Sequence, residues 1–191
     1  MQRRAVHWLP ILLLAGLAAF TYWLDRTVQA TLPKRDGSQR HDPDYIVDNF
    51  SATPLGKDGR PSASLAAHSL VHYPDDDTTH LVAPDFTRLG RDAPPIHLRA
   101  KTAIVSKGNK DVYLFGEVRG RREAYAQRSE MTFASEYLHI VPDADTADSD
   151  KAVDIRDKNA HVTGVGLQLD NKKRTIRLLS RARVRYEKNP H

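Results

Sequence analysis

Three groups of residues in this sequence could do chemistry. His68 and His72 stand four apart, the spacing of paired zinc ligands on a helix. The glutamate of a metalloprotease helix is missing, however, and on a strand the two rings would lie roughly 13 Å apart, so they read as surface histidines. The stretch 142–150, Pro-Asp-Ala-Asp-Thr-Ala-Asp-Ser-Asp, invites a calcium reading, yet an EF-hand from Asp143 would need glycine at Asp148 and glutamate at Asp154. It reads as a solvated acidic surface loop inserted within a repeat. The third group is basic: Arg119, Arg121 and Arg122, and the alternating Arg181, Arg183 and Arg185. No DNA- or RNA-module signature accompanies them, so nucleic acid is not an expected partner. Anionic lipid suits them better, and a charged strand face that blunts a sheet edge is equally open.

Other chemistry is missing. There is no Gly-rich phosphate loop, dinucleotide fingerprint or serine-nucleophile elbow. The chain has no cysteine, which excludes a disulfide framework, a thiolate metal site, a cysteine nucleophile and a lipid-anchored N-terminus. The expectation is a protein that is not an enzyme and needs no cofactor or metal. At 191 residues, 40% hydrophobic and 28% charged, it suits one globular domain with an accessory segment. A formal charge of +5 and a pI near 9.5 favour an anionic partner, whether nucleic acid, acidic lipid headgroups or a phosphorylated glycolipid, and charge alone does not choose among them.

The elements that must position these residues are strands. Between Ile96 and Ile104 the apolar residues Ile96, Leu98, Ala100 and Ile104 alternate with His97, Arg99 and Lys101, which predicts a half-buried strand. Lys107-Gly108-Asn109-Lys110 supplies a turn. A second strand puts Val112, Leu114, Gly116 and Val118 on one face. A two-residue loop would pair Ile104 with Tyr113; a three-residue loop sets Ile104 against Val112, Leu98 against Val118 and Arg99 against Glu117. The second register gives one apolar face and a cross-strand ion pair, and is preferred on that ground.

The pattern recurs. An offset of 33 aligns Leu65 with Leu98, Ala67 with Ala100, Val71 with Ile104, Leu81 with Leu114 and Ala83 with Gly116, and Ile176–Ala182 overlays Val112–Val118. Two-strand repeats imply stacking along one axis. Small residues at Ala67, Ala83, Ala100, Gly116 and Ser180 lean toward a cavity or a close strand approach. Further strands are predicted over Tyr45–Thr53, Met131–Val141 and Thr175–Glu187, with Gly164 and Gly166 as bends or bulges.

Ahead of the strands, residues 1–4 are a short basic start and 5–25 an apolar segment. A helix over Val6–Leu24 would reach roughly 28 Å against a hydrocarbon core of ~30 Å, which predicts a retained membrane helix. Val28-Gln29-Ala30 leaves a cleaved signal as the alternative. Residues 26–44 read as a linker, 45–188 as the domain and 189–191 as a free end.

The basic start, membrane helix and linker, the Asp42-Pro-Asp-Tyr45 region and the strand repeats with Leu114-Phe-Gly-Glu-Val-Arg-Gly120 together resemble the LptC family, the bitopic inner-membrane subunit of the lipopolysaccharide export machine. The closest stretches are Ala100–Gly120 and Gly166–Glu187. The resemblance implies an N-terminus in the cytoplasm and a β-jellyroll in the periplasm. It implies that lipopolysaccharide is taken from the inner-membrane ABC transporter and passed to a soluble periplasmic jellyroll partner. The acidic stretch 142–150 is a departure from the pattern.

From the alternation, the expected lipid-facing interior is Leu98, Ala100, Ile104, Val112, Leu114, Val118, Phe133, Leu167, Leu169, Ile176, Leu178, Val184 and Tyr186. The expected docking edge is the last strand, at Arg181, Ala182, Arg183, Val184, Arg185 and Tyr186, because no later repeat would cover its backbone. Two rivals remain open: a membrane-anchored adaptor whose β-domain has an ordinary packed core, and a helical repeat adaptor.

Overall fold

Alternating side chains let each segment bury one face when it pairs with its neighbour in sequence, and the fold is built that way throughout. The structure, a computed structural model, describes residues 8–31, 41–90, 93–126 and 128–186. After one helix, α1 (Trp8–Thr31), the strands are β1 (Tyr45–Ala52), β2 (Ala63–Tyr73), β3 (Thr78–Val82), β4 (Asp85–Arg88), β5 (Ile96–Arg99), β6 (Thr102–Val105), β7 (Val112–Arg122), β8 (Met131–Val141), β9 (Thr146–Asp157), β10 (Ala160–Asp170) and β11 (Thr175–Tyr186). All pairings are antiparallel. β3 and β4 are two halves of one pass, interrupted at Ala83-Pro84, where proline has no N–H to give. β5 and β6 are likewise halves of one pass, interrupted at Ala100-Lys101. The order is thus a meander, with β1 and β11 as its two edges.

The interruptions fall on one row across the sheet. Ala83 N–H donates to Lys101 O at 2.7 Å, and Lys101 N–H donates to Gly116 O at 2.9 Å. Glu117 N–H donates to Glu136 Oε2 at 3.4 Å. The ladder registers shift between Phe115 and Val118, between Val165 and Leu167, and between Thr163 and Val165. Along this row Asn49, Ala83, Glu117 and Arg181 hold φ of 53°, 50°, 48° and 50°, and Gly116 and Gly166 hold 72° and 79°. Left-handed non-glycine residues cost on the order of 1–2 kcal/mol each, so the row is a built crease. Leu70, Leu81, Leu138 and Leu167 from one side of it and Val118 and Val153 from the other meet in one buried cluster, with Leu98, Phe133 and Ile155 packed against it. The sheet therefore folds over along the crease into two facing layers. It is all-β, antiparallel and jellyroll-like in its two layers, with the connections of a meander.

Several expectations need correction. The segment Ile96–Ile104 is two strands, and the break at Ala100-Lys101 shifts the side-chain phase by one. Leu98 faces in, but in β6 Ala103 is buried and Ile104 lies on the other face, opposite Tyr113. The preferred three-residue register is not found: Val105 faces Val112, Leu98 faces Gly120, and Arg99 faces Arg119. Arg99 instead pairs with Asp85 at 2.7 Å, and Glu117 with Lys101 at 2.7 Å. The acidic stretch is a turn only as far as Asp145. Thr146–Asp150 belongs to β9, with Ser149 buried.

The expected membrane-spanning helix is not borne out: among the described residues no helix is long and apolar enough to cross a membrane. α1 also continues to Thr31, into the segment read as linker. Residues 1–4, the linker residues 32–40 and the free end 189–191 lie outside the described residues.

Candidate functional site

The inner face is a set of cross-strand rows. On one side of the crease Leu70, Leu81, Ala103, Leu114 and Leu138 are successive register partners. On the other, Leu65, Phe86, Leu98, Gly120, Phe133, Ile155, Val162 and Val184 are. Where these rows reach β11 nothing among the described residues covers them. Ile176 is 48% exposed, Val184 53% and Tyr186 80%, although each stands on the inward side of the alternation, opposite Leu169, Val162 and Ala160. Leu178, opposite Leu167, still packs on the core. The result is an apolar mouth at the β11 end of the sandwich.

The expected interior residues fall into three groups. Leu114, Val118 and Leu167 are buried, while Leu98, Ala100, Val112, Phe133 and Leu178 pack on the core with Leu169 half-buried beside them. Ile176, Val184 and Tyr186 line the open mouth. Ile104 is outside the interior, for the phase reason given above. The interior also includes Leu70, Leu81, Ala103, Leu138 and Val153, which alternation within single segments did not select. The signal that would have found Leu70 and Leu81 is their place in the same row as Leu114. Ser135 and Ser149 are buried among these residues, their Oγ atoms 3.3 Å apart, and Ser135 Oγ donates to Ala152 O at 3.0 Å.

On the expected docking edge, Arg181, Ala182, Arg183, Val184, Arg185 and Tyr186 are all exposed, and among the described residues β11 carries no strand on its far side. Arg183 and Arg185 stand opposite Thr163 and His161 on the outer face. The small residues Ala83, Ala100, Gly116 and Ser180 mark the crease itself. A Cβ on Gly116 would come within 2.9 Å of the Lys101 side chain, and one on Gly166 within 2.9 Å of Leu179.

Histidines sit in carboxylate pairs at the strand ends. His72 contacts Asp44 through Nδ1 at 2.8 Å and Asp77 through Nε2 at 3.2 Å, and hydrogen bonds accepted by these carboxylates, Asp44 foremost, hold its pKa above the ordinary value. His139 is bound by Asp148 at 3.0 Å and Asp111 at 2.9 Å. Burial pulls its pKa down, but the two carboxylates outweigh burial and the net shift is upward. His41, Asp75 and Asp76 bring potential ligand atoms within 4.8 Å of one another. An exposed ion pair of His41 with Asp75 at 2.9 Å and stacking of the ring on Tyr73 account for that cluster. Of the zinc-like pair, His68 is exposed and His72 is engaged as described.

A family model described as lipopolysaccharide-assembly, LptC-related, matches residues 11–187, that is, α1 from its second turn to the end of β11. The chain belongs to the LptC family. Its role is accordingly in lipopolysaccharide transport. Among solved structures, this LptC-family chain is similar to LptH from Pseudomonas aeruginosa, the LptA-homologous periplasmic component of the lipopolysaccharide transport device. That likeness covers 80% of this chain and 99% of that one, at 9% identity and a TM-score of 0.42. No curated protein matches the chain.

Proposed function

We propose that this protein binds lipopolysaccharide at the outer face of the inner membrane, taking it from the membrane ABC transporter and passing it to a soluble periplasmic jellyroll partner. The observation that carries the reading is the apolar inner face left open at β11, with Ile176, Val184 and Tyr186 exposed on the inward side. Acyl chains entering there would replace water on these side chains, a gain of ~25 cal/mol per Å² of apolar surface covered. The uncovered backbone of β11 suits pairing with a partner strand, which would continue the apolar face from one protein into the next. No chemistry is needed along such a path, and the driving energy comes from the transporter's ATPase. α1, with Leu12, Leu13, Leu17, Phe20 and Trp23 exposed, is the element that associates with the membrane and holds the domain in the periplasm.

One observation favours a packed-core adaptor instead. Val118 is wholly buried and the centre of the sandwich is filled by its own side chains. The two readings differ in where lipid can sit. Photo-crosslinkers placed at Leu178 and Val184 should capture lipopolysaccharide in cells while one at the outer-face residue Ile104 does not. Equal capture at all three, or at none, defeats the cargo reading.

A further inference from the structure

Opposite the crease, the open side of the sandwich places arginines on the inner face. Arg88, Ile96 and Arg122 are successive partners in one cross-strand row, two positions beyond Phe86, Leu98 and Gly120. Alternation therefore puts both arginines on the apolar side, at its rim. Their backbones are roughly 10 Å apart, two strand spacings, within joint reach of two long guanidinium side chains. Arg122 donates through Nη2 to Ser129 O at 3.3 Å, while its Nε is buried and has no hydrogen-bond partner among the described residues. Arg88 reaches across the opening to the other layer, where its Nη1 lies 3.9 Å from Asp145 Oδ1 in the turn between β8 and β9. That is too long for a hydrogen bond, and both side chains are partly solvated, 46% and 37% exposed, so the pair is weakly held. Asp145 is fixed by other means: its Oδ2 accepts from Asn171 Nδ2 at 2.6 Å.

An unsatisfied guanidinium N–H and a loosely held guanidinium on the same apolar rim want an oxyanion with several acceptor oxygens, and a phosphate offers that geometry. We propose that Arg88 and Arg122 form a phosphate-binding pair on the open long side of the sandwich, separate from the β11 mouth, and that Asp145 occupies Arg88 until the phosphate of a lipid headgroup displaces it. The inference rests on the lipid-cargo reading above and adds the headgroup chemistry to it. With the phosphate on this pair, acyl chains attached to the same headgroup lie against the neighbouring inner row of Phe86, Leu98 and Phe133.

The test is equilibrium binding of the full chain in detergent to lipid A and to its enzymatically dephosphorylated form, with inorganic phosphate as a separate probe. The wild type should prefer lipid A about tenfold. Arg88→Gln and Arg122→Gln should each lose most of that preference while keeping their affinity for the dephosphorylated lipid, with circular dichroism unchanged. Arg88→Lys should retain part of it, having the charge without the fork. Asp145→Asn should tighten lipid A severalfold and leave the dephosphorylated form unaffected. A wild type that binds both lipids equally, or variants that keep the preference, would overturn the headgroup site and leave the cargo reading standing. Displacement of lipid A by low millimolar inorganic phosphate would assign the pair to free phosphate instead. Failure to bind either lipid would defeat both proposals.

Discussion

Ala103 sits directly opposite Leu114 in the ladder between β6 and β7, and both are buried. One step along, Ile104 faces Tyr113 on the outer surface. The smaller side chain is inside and the larger outside, because the pass from Ile96 to Val105 breaks at Ala100-Lys101. The crease consumes residues without advancing the ladder evenly, so parity counted from Leu98 fails beyond it. On β7 the same crease sits between Leu114 and Val118, and both face in.

The facing of β7 can be tested directly. Leu114→Arg places an unpaired charge among Ala103, Leu138 and Leu81, and should cost on the order of 4 kcal/mol or more. Phe115→Arg, on a partly exposed outer site beside Tyr137, should cost roughly 1 kcal/mol or less. Urea unfolding of the two variants measures the difference, and equal midpoints would mean that the β7 faces are wrongly assigned.

How much of this was legible in the sequence follows from the same geometry. Alternation within one uninterrupted strand is a local signal, and it placed Met131–Val141, the buried Leu114 and Leu167, and the bulges at Gly164 and Gly166. The 33-residue offset is a strong signal: Ala83 and Gly116, aligned by it, both have left-handed φ, as do Glu117 and Arg181 in the C-terminal overlay. What sequence did not show is how these small residues act together, since a crease exists only once neighbouring strands bring them into one row. The β11 mouth was hidden for a related reason: Val184 and Tyr186 have the pattern of core residues, and only the absence of a further strand exposes them.

The crease should be sensitive at Gly116. Its φ of 72° and the 2.9 Å approach of a Cβ to Lys101 Cδ both oppose a side chain, so Gly116→Ala should destabilise by about 1–2 kcal/mol. Combining it with Lys101→Ala removes the contacts with Cδ and Cγ but leaves Cβ at 3.1 Å and the backbone cost, so the double variant should be somewhat more stable than the sum of the single effects implies. Thermal unfolding with Gly116→Ala equal to wild type would show that this residue does not need the left-handed conformation.

Stability should peak in mildly acidic solution. His41, His72 and His139 have folded pKa values raised above 6.5, so their contribution is complete below that value and fades as pH rises through the raised ones. Asp75 and Asp77 have folded values below 3.8; their contribution holds above that value and fades as pH falls further. Melting temperature should therefore be highest between about pH 4 and pH 6.5 and decline on both sides. Removing His72 and His139 together as asparagines should flatten the alkaline decline; a decline of unchanged slope in that variant would assign it to other groups.

The two sheet edges differ in charge and apolar exposure, and the docking proposed at β11 can be tested through that difference. β1 carries Asp48 and is preceded by Asp44, whereas β11 presents Arg181, Arg183 and Arg185 beside an apolar mouth. A partner strand that pairs with β11 would extend the inner rows past Val184 and Leu178; one on β1 would meet the opposite end of the interior. On an edge strand, N–H groups alternate between the neighbouring strand and open solvent, so of Arg183 and Val184 one donates to β10 and the other outward. Proline at the outward position removes a donor from the docking row at little cost to the fold, while proline at the other breaks the β10 ladder. Arg183→Pro and Val184→Pro should thus separate: one should remain folded by circular dichroism yet fail to capture the soluble jellyroll partner in a pull-down, and the other should lose stability. Single alanine substitutions at Arg181, Arg183 or Arg185 should slow capture modestly and in a salt-dependent way, because exposed charges steer encounter more than they hold it. If both proline variants that fold capture the partner as well as wild type, docking belongs to β1, and proline at alternate positions of Tyr45–Asp48 should then abolish it.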